Sequence, residues 1–169
     1  MQRGTIGVTT RRACMDRSQF QQLYTDFAPD LYRMALAITG RRELAKDALQ
    51  ETFLRVYRFS DQWDSSRPIR PWLYRILINE CHRLLKKEKA QVPMETHHLE
   101  TLVPSGEIRV DILDAVATLP EEYRVPLLLK YMENWKEREI AEALSLNLNT
   151  LKSRLTKARA LMREAYGEG

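Results

Sequence analysis

The segment Arg70 to Lys87, RPWLYRILINECHRLLKK, mixes aromatic, amide and cationic side chains at helical spacing. With Trp72 set at 0° and steps of about 100° per residue, Leu73, Tyr74, Leu77, Ile78, Cys81, Leu84 and Leu85 share one side. They form a complete apolar face. Trp72, Arg75, Ile76, Asn79, His82, Arg83 and Lys86 occupy the other side, and Arg70 stands just ahead of the turn. An aromatic ring and an amide among cations suit single-stranded nucleic acid. Bases stack on aromatic faces for about 1–3 kcal/mol each, cations hold the phosphates, and an apolar wedge can replace a lost partner base. The competing reading packs Trp72 against the preceding loop or another helix.

A second constellation lies near the C-terminus. EREIAEALSLNLNTLKSRL has the layout of a helix-turn-helix, a short helix, a turn and a longer helix. Ile140, Leu144, Leu146 and Leu151 supply the core positions, and Ala141 is small where the helices cross. Leu151, Leu155, Ala158 and Met162 form the buried stripe of the longer helix. Thr150, Ser153, Arg154 and Lys157 lie on its outer sides near the N-terminal half, the part that enters the major groove. Arg154 is the best candidate for a guanine edge, and Lys152, Lys157, Arg159 and Arg163 suit phosphates. The alternative is a helical hairpin with a solvated basic face. The turn has Ser145 where a glycine is often found.

Other chemistries find little support. Glu43, Asp47 and Glu51 make a carboxylate row at helical spacing, but no Glu-x-x-His partner helix accompanies it. There is no Gly-rich phosphate loop and no nucleophile motif. His97-His98 lies in a polar stretch without cysteines at ligand spacing, and Cys14 and Cys81 form no CxxC pair. The expectation is a protein that is no enzyme, with no metal, no cofactor and no small-molecule substrate.

The remaining chain must position these two surfaces. It has 169 residues, 44% hydrophobic and 30% charged, and a net charge of +4. That composition suits a folded protein with one domain or two small ones. The charge is uneven. Residues 67–89 hold seven Arg/Lys against two Glu, and residues 145–163 hold five with no acid. Residues 95–122 hold seven acids against one Arg. Two basic blocks around an acidic one suggest two contacts with a polyanion. No apolar run approaches the length of a membrane span, and Arg11-Arg12 precedes no apolar export segment, so a cytoplasmic location is expected.

Apolar periodicity predicts an all-α fold of two small helical domains joined by a flexible acidic linker. Residues 1–17 read as a disordered tail. Ser18 is the expected cap of a first helix, Pro29 divides it from a second, and Gly40 ends that one. Glu43 to Phe59 is the third, and Pro71 opens a fourth that reaches about Lys89. The first domain is thus 18–89, the linker 90–106, and the second domain 107–169. In the latter, Pro126 implies a helix that starts late or kinks.

These pieces together resemble the extracytoplasmic-function (ECF) sigma factors, small two-domain sigma subunits of bacterial RNA polymerase. The resemblance runs from Phe20 to about Tyr166 and rests on AKDALQETFLRVYR, RPIRPWLYRILINE and LPEEYRVPLLLKYMENWKEREIAEAL with TLKSRLTKARALMRE, in that order. It implies that the first domain binds core RNA polymerase through Asp47, Gln50, Glu51 and Leu54. It implies that the loop Asp61–Arg70 accepts a flipped base of the minus-ten element. Arg70, Trp72, Arg75, Ile76, Asn79, Arg83 and Lys86 would hold the melted single strand. The second domain would read the duplex minus-thirty-five element through Thr150, Lys152, Ser153, Arg154 and Lys157. An anti-sigma factor, often membrane-anchored in the family, is the further partner implied. It would sequester the chain at the inner membrane face. Glu80, His82 and Arg83 depart from the commonest family pattern, as does SLNLNTLKS, which replaces the usual glycine. The chief rival is a stand-alone helix-turn-helix regulator, which leaves the Trp72 face unexplained.

Overall fold

The computed structural model describes residues 15–91 and 110–166, and these form seven α-helices and one 3-10 turn, with no strand among them. The expected tail and linker, Cys14 and His97-His98 therefore fall largely or wholly outside the described residues.

Helix α1 spans Arg17–Thr39 as one unbroken element. Its cap is Asp16, not Ser18. The Asp16 carboxylate accepts from Gln19 N at 2.8 Å, and the Gln19 side chain accepts from Asp16 N at 3.0 Å. This reciprocal pair satisfies two otherwise orphaned donors. Pro29 lies inside the helix and does not divide it. A missing N–H there costs one bond to the preceding turn. The packing of Ala28, Leu31, Met34, Ala35 and Ile38 outweighs that loss, since all five are buried and Leu31, Met34 and Ile38 are completely so. Gly40 ends α1 with φ at 68°, a left-handed geometry that a Cβ would oppose.

Helix α2 (Arg42–Phe59) buries Ala45, Ala48, Thr52, Phe53 and Val56 against α1 and leads into the 3-10 turn Ser60–Gln62. Helix α3 (Ile69–Gln91) carries Pro71 in its first turn, as expected, and buries Leu73, Tyr74, Leu77, Ile78 and Cys81. Glu80 is also buried, at 2% exposure. Its carboxylate accepts from Arg55 Nε at 2.5 Å and Arg83 Nε at 2.8 Å, which ties α2 to α3 and satisfies a charge that would otherwise be costly to bury.

The second group consists of α4 (Val110–Thr118), α5 (Glu121–Tyr131), α6 (Glu137–Ala143) and α7 (Leu148–Tyr166). Helix α5 starts directly at Glu121 although Pro126 lies inside it. Pro126 is buried with Val125, Leu127, Leu128 and Leu129, so burial again overrides the local signal for a late start. Between α6 and α7, Ser145 takes φ of 53°. The left-handed turn that often uses glycine is thus made here by serine.

The two helical groups pack against each other, and their buried residues form one continuous core. The Tyr74 and Trp135 rings meet across the junction with centroids 5.1 Å apart. Arg124 donates to the carbonyls of Ile38 in α1 and of Ala117 and Leu119 near the end of α4.

Candidate nucleic-acid interface

The anchoring side of α3 agrees with the angular reading. Leu73, Tyr74, Leu77, Ile78 and Cys81 are buried, and Leu84 and Leu85 are partly buried. Burial pushes both the Cys81 thiol and the Tyr74 phenol above their ordinary values, so neither ionises near neutrality. Cys81 is a packed apolar residue, not a reactive thiol.

The opposite side is less open than a solvated face. Arg75, Asn79, Arg83 and Lys86 are exposed, but Trp72, Ile76 and His82 are only partly so. The reason is the second helical group. Arg75 donates from Nε to the Ala143 carbonyl at 3.2 Å and from Nη2 to the Glu142 carbonyl at 2.7 Å. These are C-terminal carbonyls of α6, where the helix dipole favours a cation, and the Glu142 carbonyl also accepts from Ser145 N at 3.1 Å. Trp72 and Arg75 share a cavity of about 600 Å³ with Glu139, Glu142 and Ala143. Arg70 pairs with Glu133 at 2.5 Å, and Glu133 is itself almost fully buried. His82 Nδ1 lies 2.7 Å from Glu121 Oε2. Burial raises the Glu121 carboxyl, but the His82 bond and the charges of Lys89 and Arg124 outweigh it and hold the group below its ordinary range. Arg83 is turned toward Glu80, leaving Asn79 and Lys86 as the exposed members of the set without a bond to another described residue.

Next to this face, α1 and the loop after α2 line an open cavity of about 870 Å³ with mixed polar and apolar walls. Gln22, Asp26, Asp61, Trp63 and Ile69 contribute to its wall.

On α2, Asp47, Gln50 and Leu54 are exposed and Glu51 is partly so. The pattern of spacing puts them on one face, together with Tyr57. Leu54 is 44% and Tyr57 60% exposed. Tyr24 of α1, 47% exposed, stands nearby through its contact with Phe53. Tyr57 and Tyr24 follow the apolar periodicity of their helices, so sequence reasoning counts them with the core and misses them as surface residues. Their exposure depends on where α1 and α2 cross, which a single helix pattern does not specify.

On α7, Thr150, Lys152, Ser153 and Lys157 are exposed around the buried Leu151, Leu155 and Ala158. Arg154 is less free. Its guanidinium lies 3.8 Å from the Glu122 carboxylate of α5 and its side chain is 30% exposed. Arg159 meets the Tyr131 hydroxyl at 3.3 Å and, with Arg163, edges an apolar groove of about 540 Å³ between α4, α5 and α7. No group of three or more potential metal ligands occurs among the described residues, and no described helix is long and apolar enough to cross a membrane.

Comparison with known proteins gives the same two units. Residues 23–91 match the Sigma-70 region 2 family model and residues 109–162 the Sigma-70 region 4 model. The chain is 31% identical over 142 residues to the RNA polymerase sigma factor SigV of Bacillus subtilis, covering 82% of this chain and 86% of that one. It is 30% identical over 152 residues to the ECF RNA polymerase sigma factor SigL of Mycobacterium tuberculosis, covering 85% and 86%. The sigma factor RpoE of Bartonella quintana, solved in complex with the anti-sigma factor NepR, has a similar fold. Its TM-score is 0.75 at 21% identity, covering 88% of this chain and 97% of that one. With two region models in the family's order and relatives matched along most of their length, the chain belongs to the ECF RNA polymerase sigma factors, alternative sigma subunits that initiate transcription.

Proposed function

We propose that the two helical groups divide the work of promoter recognition as follows. The first, about 18–89, docks on core RNA polymerase through the α2 face of Asp47, Gln50, Glu51 and Leu54, extended by Tyr57. A ring of polar groups around exposed apolar side chains is the make-up of a protein interface. The cavity beside Asp61 and Trp63 receives a flipped base of the minus-ten element. The α3 face of Arg70, Trp72, Arg75, Ile76, Asn79, Arg83 and Lys86 holds the melted strand. The second group, about 107–169, reads the duplex minus-thirty-five element through α7.

The observation that carries this reading is the pairing of a Trp72-centred cationic face with a separate basic recognition helix on one chain. Two DNA elements about two helical turns apart lie roughly 70 Å from each other. A connection of about 20 residues spans at most ~70 Å when fully extended. The packed arrangement cannot reach both elements, so the groups separate on the polymerase. Arg70 and Arg75 then exchange Glu133 and the α6 carbonyls for phosphates. The cytoplasm, where polymerase and promoters are, is the place of action. An anti-sigma factor is the partner that would hold the chain inactive, at the inner membrane face where it is membrane-anchored.

The polymerase contact is tested by replacing Asp47 and Glu51 together with Ala. Truncating interface residues typically costs one to a few kcal/mol, so core affinity should fall about tenfold or more. Both side chains sit at the surface, so thermal unfolding should be unchanged. Equal affinity of the variant and the parent for core polymerase would remove α2 from the interface.

A further inference from the structure

The face that α7 presents for base reading is centred on a residue that the motif match does not single out. With Asn149 at 0° and steps of about 100°, the buried Leu151, Ala158 and Leu155 lie near 200°, 180° and 240°. The pole opposite them falls between Asn149 at 0° and Ser153 near 40°. Lys152, near 300°, and Lys157, near 80°, flank that pole on its two sides, and both are exposed. Arg154, near 140°, is displaced toward the buried side and faces Glu122. Thr156, near 340°, is also exposed, but its hydroxyl donates to the Lys152 carbonyl at 2.9 Å and lies 3.4 Å from Arg159 Nη2.

The Asn149 backbone is anchored at this pole. Asn147 is the residue before α7, and its side chain accepts from Asn149 N at 2.8 Å. Its carbonyl accepts from Leu151 N at 3.0 Å. The cap therefore belongs to Asn147, and the Asn149 carboxamide has no hydrogen-bonding partner among the described residues. It stands in the first turn of the helix, the part that meets base edges when such a helix enters the major groove.

We infer that Asn149 is a specificity-determining residue of the minus-thirty-five contact and reads an adenine, with Lys152 and Lys157 straddling it on the two phosphate walls of the groove. The inference rests on reading α7 as the duplex-recognition helix. A carboxamide offers one donor group and one acceptor, which match N7 and the N6 amino group of adenine in the major groove. Arg154 is then a flanking contact on the side of α5. Ser153 adds a short hydroxyl beside Asn149 that tolerates either base type.

The test uses holoenzyme reconstituted with core RNA polymerase on a promoter set in which each minus-thirty-five position is varied to all four pairs. The parent protein should favour an A·T pair at one position by about tenfold, the value of one good bidentate contact. Asn149→Ala should lose that preference at that position alone and keep the others. Lys152→Ala should weaken initiation on all sequences alike and reduce the salt dependence of binding. Asn149→Ala is exposed and leaves the Asn147 cap intact, and an unchanged unfolding temperature will show that it folds. If Asn149→Ala keeps every positional preference of the parent, or loses all in equal proportion, Asn149 is no base reader. A parent holoenzyme indifferent to all minus-thirty-five positions would instead overturn the reading of α7, and this inference with it.

Discussion

Replacing Trp72 with Ala should lower open-complex formation by about tenfold while core RNA polymerase binding stays within about twofold of the parent. The size follows from one base stacked on an indole, about 1–3 kcal/mol, at roughly 1.4 kcal/mol per factor of ten. The selectivity follows from position. Trp72 begins the α3 face, whereas the proposed polymerase contacts lie on α2, and α3 keeps its own anchors Leu73, Leu77 and Cys81. Permanganate reactivity of minus-ten thymines measures melting, and fluorescence polarisation measures core binding. Unchanged melting in the variant would take the strand-holding role away from Trp72. An equal loss of melting and core binding would show instead that the substitution disturbs the whole first group of helices.

The largest conformational effect is expected from Trp135→Ala. Trp135 is 7% exposed and Tyr74 fully buried, and their rings meet at the junction of the two helical groups. Truncating a buried Trp typically costs about 3–5 kcal/mol, and an aromatic pair accounts for about 0.5–1.5 kcal/mol beyond area. Beside the apolar core that the two groups share, polar links also cross the junction: Arg70 with Glu133, Arg75 with the α6 carbonyls, His82 with Glu121 and Arg124 with the Ile38 carbonyl. Such pairs are partly exposed, and the more exposed ones are screened by salt. Dyes placed on Lys46 of α2 and Lys157 of α7, each position changed to Cys in a Cys14→Ser, Cys81→Ala background, should report a longer mean distance in Trp135→Ala than in the parent. The shift should grow with ionic strength. An unchanged distance, with the second group still folded, would show that the aromatic contact does not hold the groups together. Because the closed form partly covers Trp72 and ties Arg75 to α6, opening it should leave polymerase-dependent initiation intact or raise it.

Much of this architecture is legible in the sequence because it is written in local periodicity. The apolar stripe of α3 and that of α7 both follow from residue spacing, and the structure buries most of each, leaving Leu84, Leu85 and Met162 half-buried. The prolines mislead for a physical reason. Pro29 and Pro126 each carry a strong local signal to stop or kink, yet each sits in a well-buried segment whose packing overrides the lost hydrogen bond. The start of α1 is a nearer miss. Asp16 and Gln19 have the spacing of a reciprocal cap, but Ser18 is an equally good capping type, and only the hydrogen bonds decide between them. Glu80 is illegible. A glutamate among arginines reads as a solvated ion pair, and its burial depends on α2 bringing Arg55 against α3. Closure of the two groups is likewise beyond periodicity, because it brings together residues far apart in the chain on faces that are cationic, acidic and aromatic by turns. The mixed aromatic and cationic make-up of the Trp72 face is legible in the sequence, but its partial covering by α6 is not. At the tip of α7, the motif drew attention to Arg154, while the pole of the helix belongs to Asn149 and Ser153.

This chain acts as a subunit of RNA polymerase and not as a free-standing DNA reader. Purified protein and core polymerase, separately and together, on a library of randomised promoters decide it most directly, with transcripts sequenced and duplex binding measured in parallel. Initiation from a defined subset of promoters is expected only when both components are present, with poor binding of the chain alone to the same duplexes. Specific duplex binding by the chain alone, with no polymerase-dependent transcript, would contradict it and leave a helix-turn-helix regulator in its place.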